Sequence, residues 1–149
     1  MSIDKKTRIN VVGALALSGL LFLAIAGHVF GASTSDEQYK TDVEAINATY
    51  DANKASCKNF SGNKKDVCQE QAKAMRNNAR ADLDAEKQGT VKANIEATKE
   101  KVMNSYKVAK EACDDLPANL QSFCVTNAKA NRDKALAEIE ANTKIDANN

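Results

Sequence analysis

The sequence predicts an all-α fold: two tandem antiparallel helical hairpins, each stapled by one disulfide, after an N-terminal apolar helix. Three observations carry that expectation. Beyond residue 32 the chain is dominated by Ala, Lys, Asn, Asp and Glu, with aromatics at 5% overall and no Trp. That composition favours helix and leaves little for a thick core. Apolar residues then recur at steps of three and four, the spacing of one helix face. A Cys-x10-Cys unit also occurs twice, as Cys57 to Cys68 and as Cys113 to Cys124.

The two units belong to a longer internal repeat. An offset of 56 carries Tyr50 onto Tyr106, Lys54 onto Lys110, Cys57 onto Cys113 and Cys68 onto Cys124. It also carries Ala72-Lys73-Ala74 onto Ala128-Lys129-Ala130 and Arg76 onto Arg132. Self-similarity at a fixed period is the mark of repeated supersecondary units. The expected organisation is therefore a signal peptide or N-terminal membrane anchor over 1–31, a linker over 32–35, hairpin repeat 1 over 36–89, and hairpin repeat 2 over 90–149 with a frayed tail.

The N-terminal segment pairs Lys5, Lys6 and Arg8 with an almost wholly apolar run over 9–31. This is the charge and hydropathy pattern of an export signal. Ala24-Ile25-Ala26 and Val29-Phe30-Gly31 both fit the small-x-small rule for cleavage. Uncleaved, the run would rise about 35 Å as a helix, enough to cross a hydrocarbon core of about 30 Å, with its basic side in the cytoplasm. Both alternatives send the remainder across a membrane, to the periplasm or to an inner-membrane anchor facing it.

Ser35 or Asp36 is placed to cap the first helix. Tyr39, Val43, Ile46, Tyr50, Asn53 and Cys57 then form a coiled-coil-like a/d seam with one polar position. Gly62 is expected to end this helix in a left-handed conformation, and Asn63 to cap the next, with Asp66 in its first turn. Cys68, Ala72, Met75, Ala79 and Leu83 share one face of the second helix. At Gly89-Thr90 the sequence favours a break, Gly past one helix end and Thr as the next N-cap. One continuous helix through Gly89 stays open, because an interior Gly costs only about 1 kcal/mol. Ile95, Val102, Tyr106, Ala109 and Cys113 repeat the first seam, interrupted by Lys99. Asp115 and Pro117 signal the last helix start. Leu120, Phe123, Cys124, Ala128, Ala135 and Ile139 supply its apolar side, and Thr143 to Asn149 is expected to fray.

The cysteines are the strongest site signal. Export and matched pairing favour the disulfides Cys57–Cys68 and Cys113–Cys124. If the helices turn near Gly62 and near Leu116 to Ala118, each pair faces across its own hairpin seam, and each closed loop contributes roughly 3 kcal/mol in the chain-entropy view. The spacing does not suit structural zinc, which prefers pairs two to four residues apart, and no Cys-x-x-Cys occurs. No cofactor or metal is expected. Tyr50 and Tyr106, one heptad before Cys57 and Cys113, read as structural seam residues beside the disulfides.

The remaining composition argues against chemistry. The only histidine, His28, lies within the export segment. No nucleophile elbow, phosphate-binding loop or HExxH motif is present. The chain holds 21 Lys+Arg and 20 Asp+Glu; without Lys5, Lys6, Arg8 and Asp4 the remainder holds 18 and 19. A near-neutral, sign-mixed surface gives no electrostatic case for nucleic acid.

The unit Tyr-x-x-x-Lys-x-x-Cys, a turn with Asn, then Cys-x-x-x-Ala-Lys-Ala, resembles Ala- and Lys-rich repeats of exported proteobacterial proteins of unknown function. Those proteins are often labelled cell envelope biogenesis or TolA-like, after the helical stalk of the Tol–Pal system. The resemblance covers 36–145 and implies an envelope location and no active residue. The chain departs from that stalk in being short, in its two cysteine pairs, and in showing no separate C-terminal domain. The function expected is a non-enzymatic periplasmic structural or interaction protein with a protein partner or self-association. A small periplasmic chaperone or stress-response protein, and a metal- or thiol-dependent redox protein, are the alternatives.

Overall fold

The computed structural model describes residues 35–146. They form four helices, α1 (Asp36–Ser56), α2 (Asn63–Gln88), α3 (Val91–Ala112) and α4 (Ala118–Asp146). No strand occurs among the described residues, and none of their helices is long and apolar enough to cross a membrane. The export signal or anchor expected over 1–31, and all of the linker except Ser35, lie outside the described residues.

Local chemistry sets each boundary. Ser35 caps α1, its hydroxyl accepting the Gln38 N–H at 3.2 Å, and Asp36 and Glu37 place negative charge in the first turn. The first reversal differs from the sequence expectation. α1 gives way to a 3-10 turn, Cys57–Asn59, and Phe60 is extended. Gly62 does not end α1. It precedes α2 with φ 57° and ψ −152°, a region essentially reserved for glycine. Its carbonyl accepts the Lys65 N–H at 2.9 Å, and Asn63 is the first helical residue rather than a side-chain cap. The loop must bring Cys57 and Cys68 within 5.6 Å at their Cα atoms, and here Gly62 supplies the positive φ of the reversal, whereas the second hairpin closes an equal sequence separation through Pro117 without a glycine.

The second reversal follows the break reading. Gly89 is left-handed at φ 60°, and its N–H donates to the Ala85 carbonyl at 2.9 Å. The Thr90 hydroxyl accepts the Ala93 N–H at 3.1 Å and opens α3. In the third, the Pro117 carbonyl accepts the Leu120 and Gln121 N–H groups at 2.8 and 2.9 Å, starting α4. The expected fraying from Thr143 is not found as far as Asp146. α4 stays helical there, with the Thr143 hydroxyl donating to the Ile139 carbonyl at 2.7 Å.

Consecutive helices run antiparallel. Lys87 pairs with Asp36 at 2.8 Å at one end of the α1–α2 seam, and Cys57 bonds Cys68 at the other. Asp82 pairs with Lys101 between α2 and α3. Tyr106 meets Arg132 between α3 and α4. Each helix contacts only its neighbours in sequence, so the four make a layer one helix thick, and the most extensive contact is α2 with α3. The main core cluster lies there, Ala85 against Ala93 and Ala97, with Ala81 alongside. Alanine stripes let two backbones approach closely, which explains why the strongest contact joins the two hairpins rather than closing either one.

Having two neighbours, α2 carries two buried arcs. Positions 68, 72, 76 and 83 share the register of the α1 contacts, while 74, 78, 81 and 85 share that of the α3 contacts. Met75, expected on the seam with Ala72 and Leu83, lies at the edge of the first arc and is 58% exposed.

Candidate interaction surface

Both disulfides stand at the same end of the layer, because α1 and α3 end there and α2 and α4 begin there. The Cα separations are 5.6 Å for Cys57–Cys68 and 5.8 Å for Cys113–Cys124, inside the range a disulfide spans. Cys57 and Cys113 are fully buried, at 1% and 0% exposure. No free cysteine remains.

Next to the staples the two halves repeat a side-chain pair. The Arg76 guanidinium lies 4.4 Å from the centre of the Tyr50 ring, and the Arg132 guanidinium 4.5 Å from that of Tyr106. A cation over an aromatic face is drawn by the ring's quadrupole. Each guanidinium is also held by the next residue: Arg76 donates to Asn77 Oδ1 at 3.3 and 3.2 Å, and Arg132 to Asp133 Oδ1 at 2.8 and 2.5 Å. Tyr50 and Tyr106 are thus half-buried seam residues with a partner that sequence reasoning did not assign. The signal was present, since the same offset carries both the tyrosines and the arginines.

The opposite end of the first hairpin has a polar clasp without a counterpart in the second. The Tyr39 hydroxyl donates to Asp84 Oδ1 at 2.5 Å, and Lys87 Nζ lies 4.3 Å from the Tyr39 ring centre while pairing with Asp36. The Asp84 bond, with burial second, raises the Tyr39 pKa above its ordinary value. The Lys87 hydrogen bond and charge lower that of Asp36, and the same bond raises that of Lys87. Under the offset of 56, Tyr39 becomes Ile95 and Lys87 becomes Thr143.

Between α2 and α3 the deepest side chain is polar. Asn104 is 1% exposed, donates from Nδ2 to Asn78 Oδ1 at 2.9 Å, and accepts at Oδ1 from Lys107 at 3.4 Å. Nothing in the periodicity marked this pair, because an amide at a seam position looks like an interruption until its partner is placed.

The arrangement offers apolar surface rather than a cluster of reactive groups. Among the described residues no three His, Cys, Asp or Glu side chains converge as a metal site would require. Four large apolar side chains around the disulfide-end turns face solvent: Phe60 at 49%, Leu116 at 38%, Leu120 at 50% and Phe123 at 67%. Of these four, Phe60 lines a groove of about 390 Å³, together with Val67, Cys68, Ala112 and Asp115 among others. The groove joins the turn of one hairpin to that of the other. No family model, curated protein or solved structure matches the chain. The functional reading therefore rests on this surface and on the sequence.

Proposed function

We propose that the chain is a non-enzymatic helical interaction protein of the cell envelope, placed in the periplasm or tethered to the inner membrane facing it. The observation that carries the reading is the apolar end formed by Phe60, Leu116, Leu120 and Phe123 beside two disulfide-stapled turns. Rigid turns hold such side chains open without letting them collapse inward, which suits a protein-binding surface. The paired cysteines and the basic-then-apolar N-terminal segment support the compartment. Crosslinking in intact cells with a photoreactive residue at Phe123, followed by recovery of adducts, tests the reading. One defined envelope protein is expected, lost when Leu120 and Phe60 become Asp. Adducts spread over many unrelated proteins would defeat it.

The same exposed aromatics favour one second reading, a small chaperone that holds unfolded clients. Suppression of aggregation of a denatured client at stoichiometric amounts, abolished by Phe60→Asp and Phe123→Asp, would support that reading over the first.

A further inference from the structure

We propose that a second copy of this chain docks its α1 on the open face of α4, so that copies add head to tail and continue the layer. A contact of this kind is already made within one chain. α2 and α3 pack through Ala81 and Ala85 against Ala93 and Ala97, with Asn78 on Asn104 and Asp82 on Lys101. The offset of 56 turns α2 into α4, and run backwards it turns α3 into α1. The α2 stripe Ala74, Ala81 and Ala85 becomes Ala130, Ala137 and Ala141 on α4. All three α4 alanines are exposed, whereas Ala74 and Ala85 are buried. On α1 the counterparts of Ala97 and Asn104 are Thr41 and Ala48, again exposed, on the face turned away from α2. α4 thus carries, open to solvent, the alanine side of the interface that the centre of the layer uses, and α1 offers the exposed small residues Thr41, Ala45 and Ala48 where α3 has Ala97, Lys101 and Asn104.

Charge agrees with this placement. In the register that sets 78 against 104, position 134 falls opposite position 48. Lys134 stands there on α4, 76% exposed at its side chain and 3.9 Å from the Glu138 carboxylate one turn on. Ala48 on α1 is flanked one turn either way by Glu44 and Asp51, both exposed. A lysine where Asn78 would be therefore meets a small residue between two carboxylates. The contact lacks the buried amide pair, and Glu37 replaces Ala93, so it is weaker than the α2–α3 contact and depends on concentration. Because the two surfaces differ, the association is heterologous and does not close on itself as a twofold dimer would. It extends a one-dimensional array in which each unit touches only its neighbours.

The inference deepens the interaction reading by naming one partner, and a distinct test separates the two. Sedimentation of the full chain in mild detergent, which masks the apolar N-terminal segment, should show mass rising with concentration in steps of one chain. Ala48→Arg sets a cation against Lys134, and Lys134→Glu sets an anion between Glu44 and Asp51. Each alone should shift the association midpoint upward by about tenfold or more through like-charge repulsion. Both positions are exposed, so helix content should not change. The double variant Ala48→Arg/Lys134→Glu restores opposite charges and should associate again. A wild-type chain that stays monomeric, single variants that associate like wild type, or a double variant that is not restored would each overturn the inference. A monomer that still captures another envelope protein would leave the interaction reading standing.

Discussion

Arg76 and Arg132 each cover a tyrosine ring, half-shielded from water, and each is held in place by its neighbour at 77 or 133. A cation over a ring contributes about 0.5–1 kcal/mol when exposed and about 2 when desolvated. Arg76→Ala and Arg132→Ala should each lower stability by about 1 kcal/mol in denaturant unfolding, and the losses should add, since the pairs share no partner. Asn104 makes a sharper case. Asn104→Ala leaves the Asn78 amide without its donor in a closely packed seam and should cost about 1–3 kcal/mol. Asn78→Leu/Asn104→Leu should recover most of that loss while broadening the α2–α3 register, seen as doubled amide resonances. The clasp at the far end titrates. Asp36 has a lowered pKa, so its contribution is present above the ordinary carboxylate range and is lost as pH falls through the lowered value. Lys87 and Tyr39 have raised pKa values, so theirs are complete below their ordinary values near 10 and are lost as pH rises through the raised ones. Absorbance titration should show the Tyr39 ionisation delayed to higher pH, and Asp84→Ala should remove most of the delay. The sequence made Cys57, Cys68, Cys113 and Cys124 legible, because covalent pairing follows from spacing. It placed the tyrosines but not their cationic partners, since which side chain covers a ring depends on the crossing of two helices.

At the scale of elements, two glycines do different work. Gly89 sits in the left-handed region that Asn also tolerates, whereas Gly62, at φ 57° and ψ −152°, occupies one that other residues avoid. A Cβ at either position would meet nothing within 4 Å, so any cost is conformational rather than steric. Gly89→Ala should cost about 1 kcal/mol and Gly89→Asn less, while Gly62→Ala and Gly62→Asn should both cost about 1–3. Thermal unfolding of the four variants checks the ranking; an Asn that rescues at 62 would contradict the assigned conformation. Helix existence and the break at Gly89 were legible because 3.6-residue periodicity and Gly-Thr punctuation are local signals. The first turn was misread in detail because the disulfide, a non-local constraint, decides where α1 tightens. Met75 was misplaced because a helix with two partners buries two arcs, while a seam read from one sequence assumes one.

Across the whole molecule, α2 and α3 are flanked on both sides and α1 and α4 on one, so stability should be graded. Hydrogen exchange is expected to be slowest near Ala85, Ala97 and Asn104 and faster along α1 and α4. A uniform profile would contradict the layer. The order of packing was not legible in the sequence. Duplication and thin seams predicted two hairpins that each need further support, but not which of their faces join; the alanine stripes became a core only once both were placed. The positions of the staples also bear on how the chain responds to force. The start of α1 and the end of α4 lie at the end of the layer opposite the disulfides. Tension applied to those two points peels the outer helices open like a zip instead of shearing them along their length. Peeling halts at Cys57 and at Cys124, and the 11-residue separation behind each bond stays hidden. Reduction should release about 30–35 Å of slack per loop, at about 3.5 Å per residue less the span already bridged. In a single-molecule pulling trace the oxidised chain would therefore be shorter at full extension by two such steps, a covalent limit on how far it can be stretched.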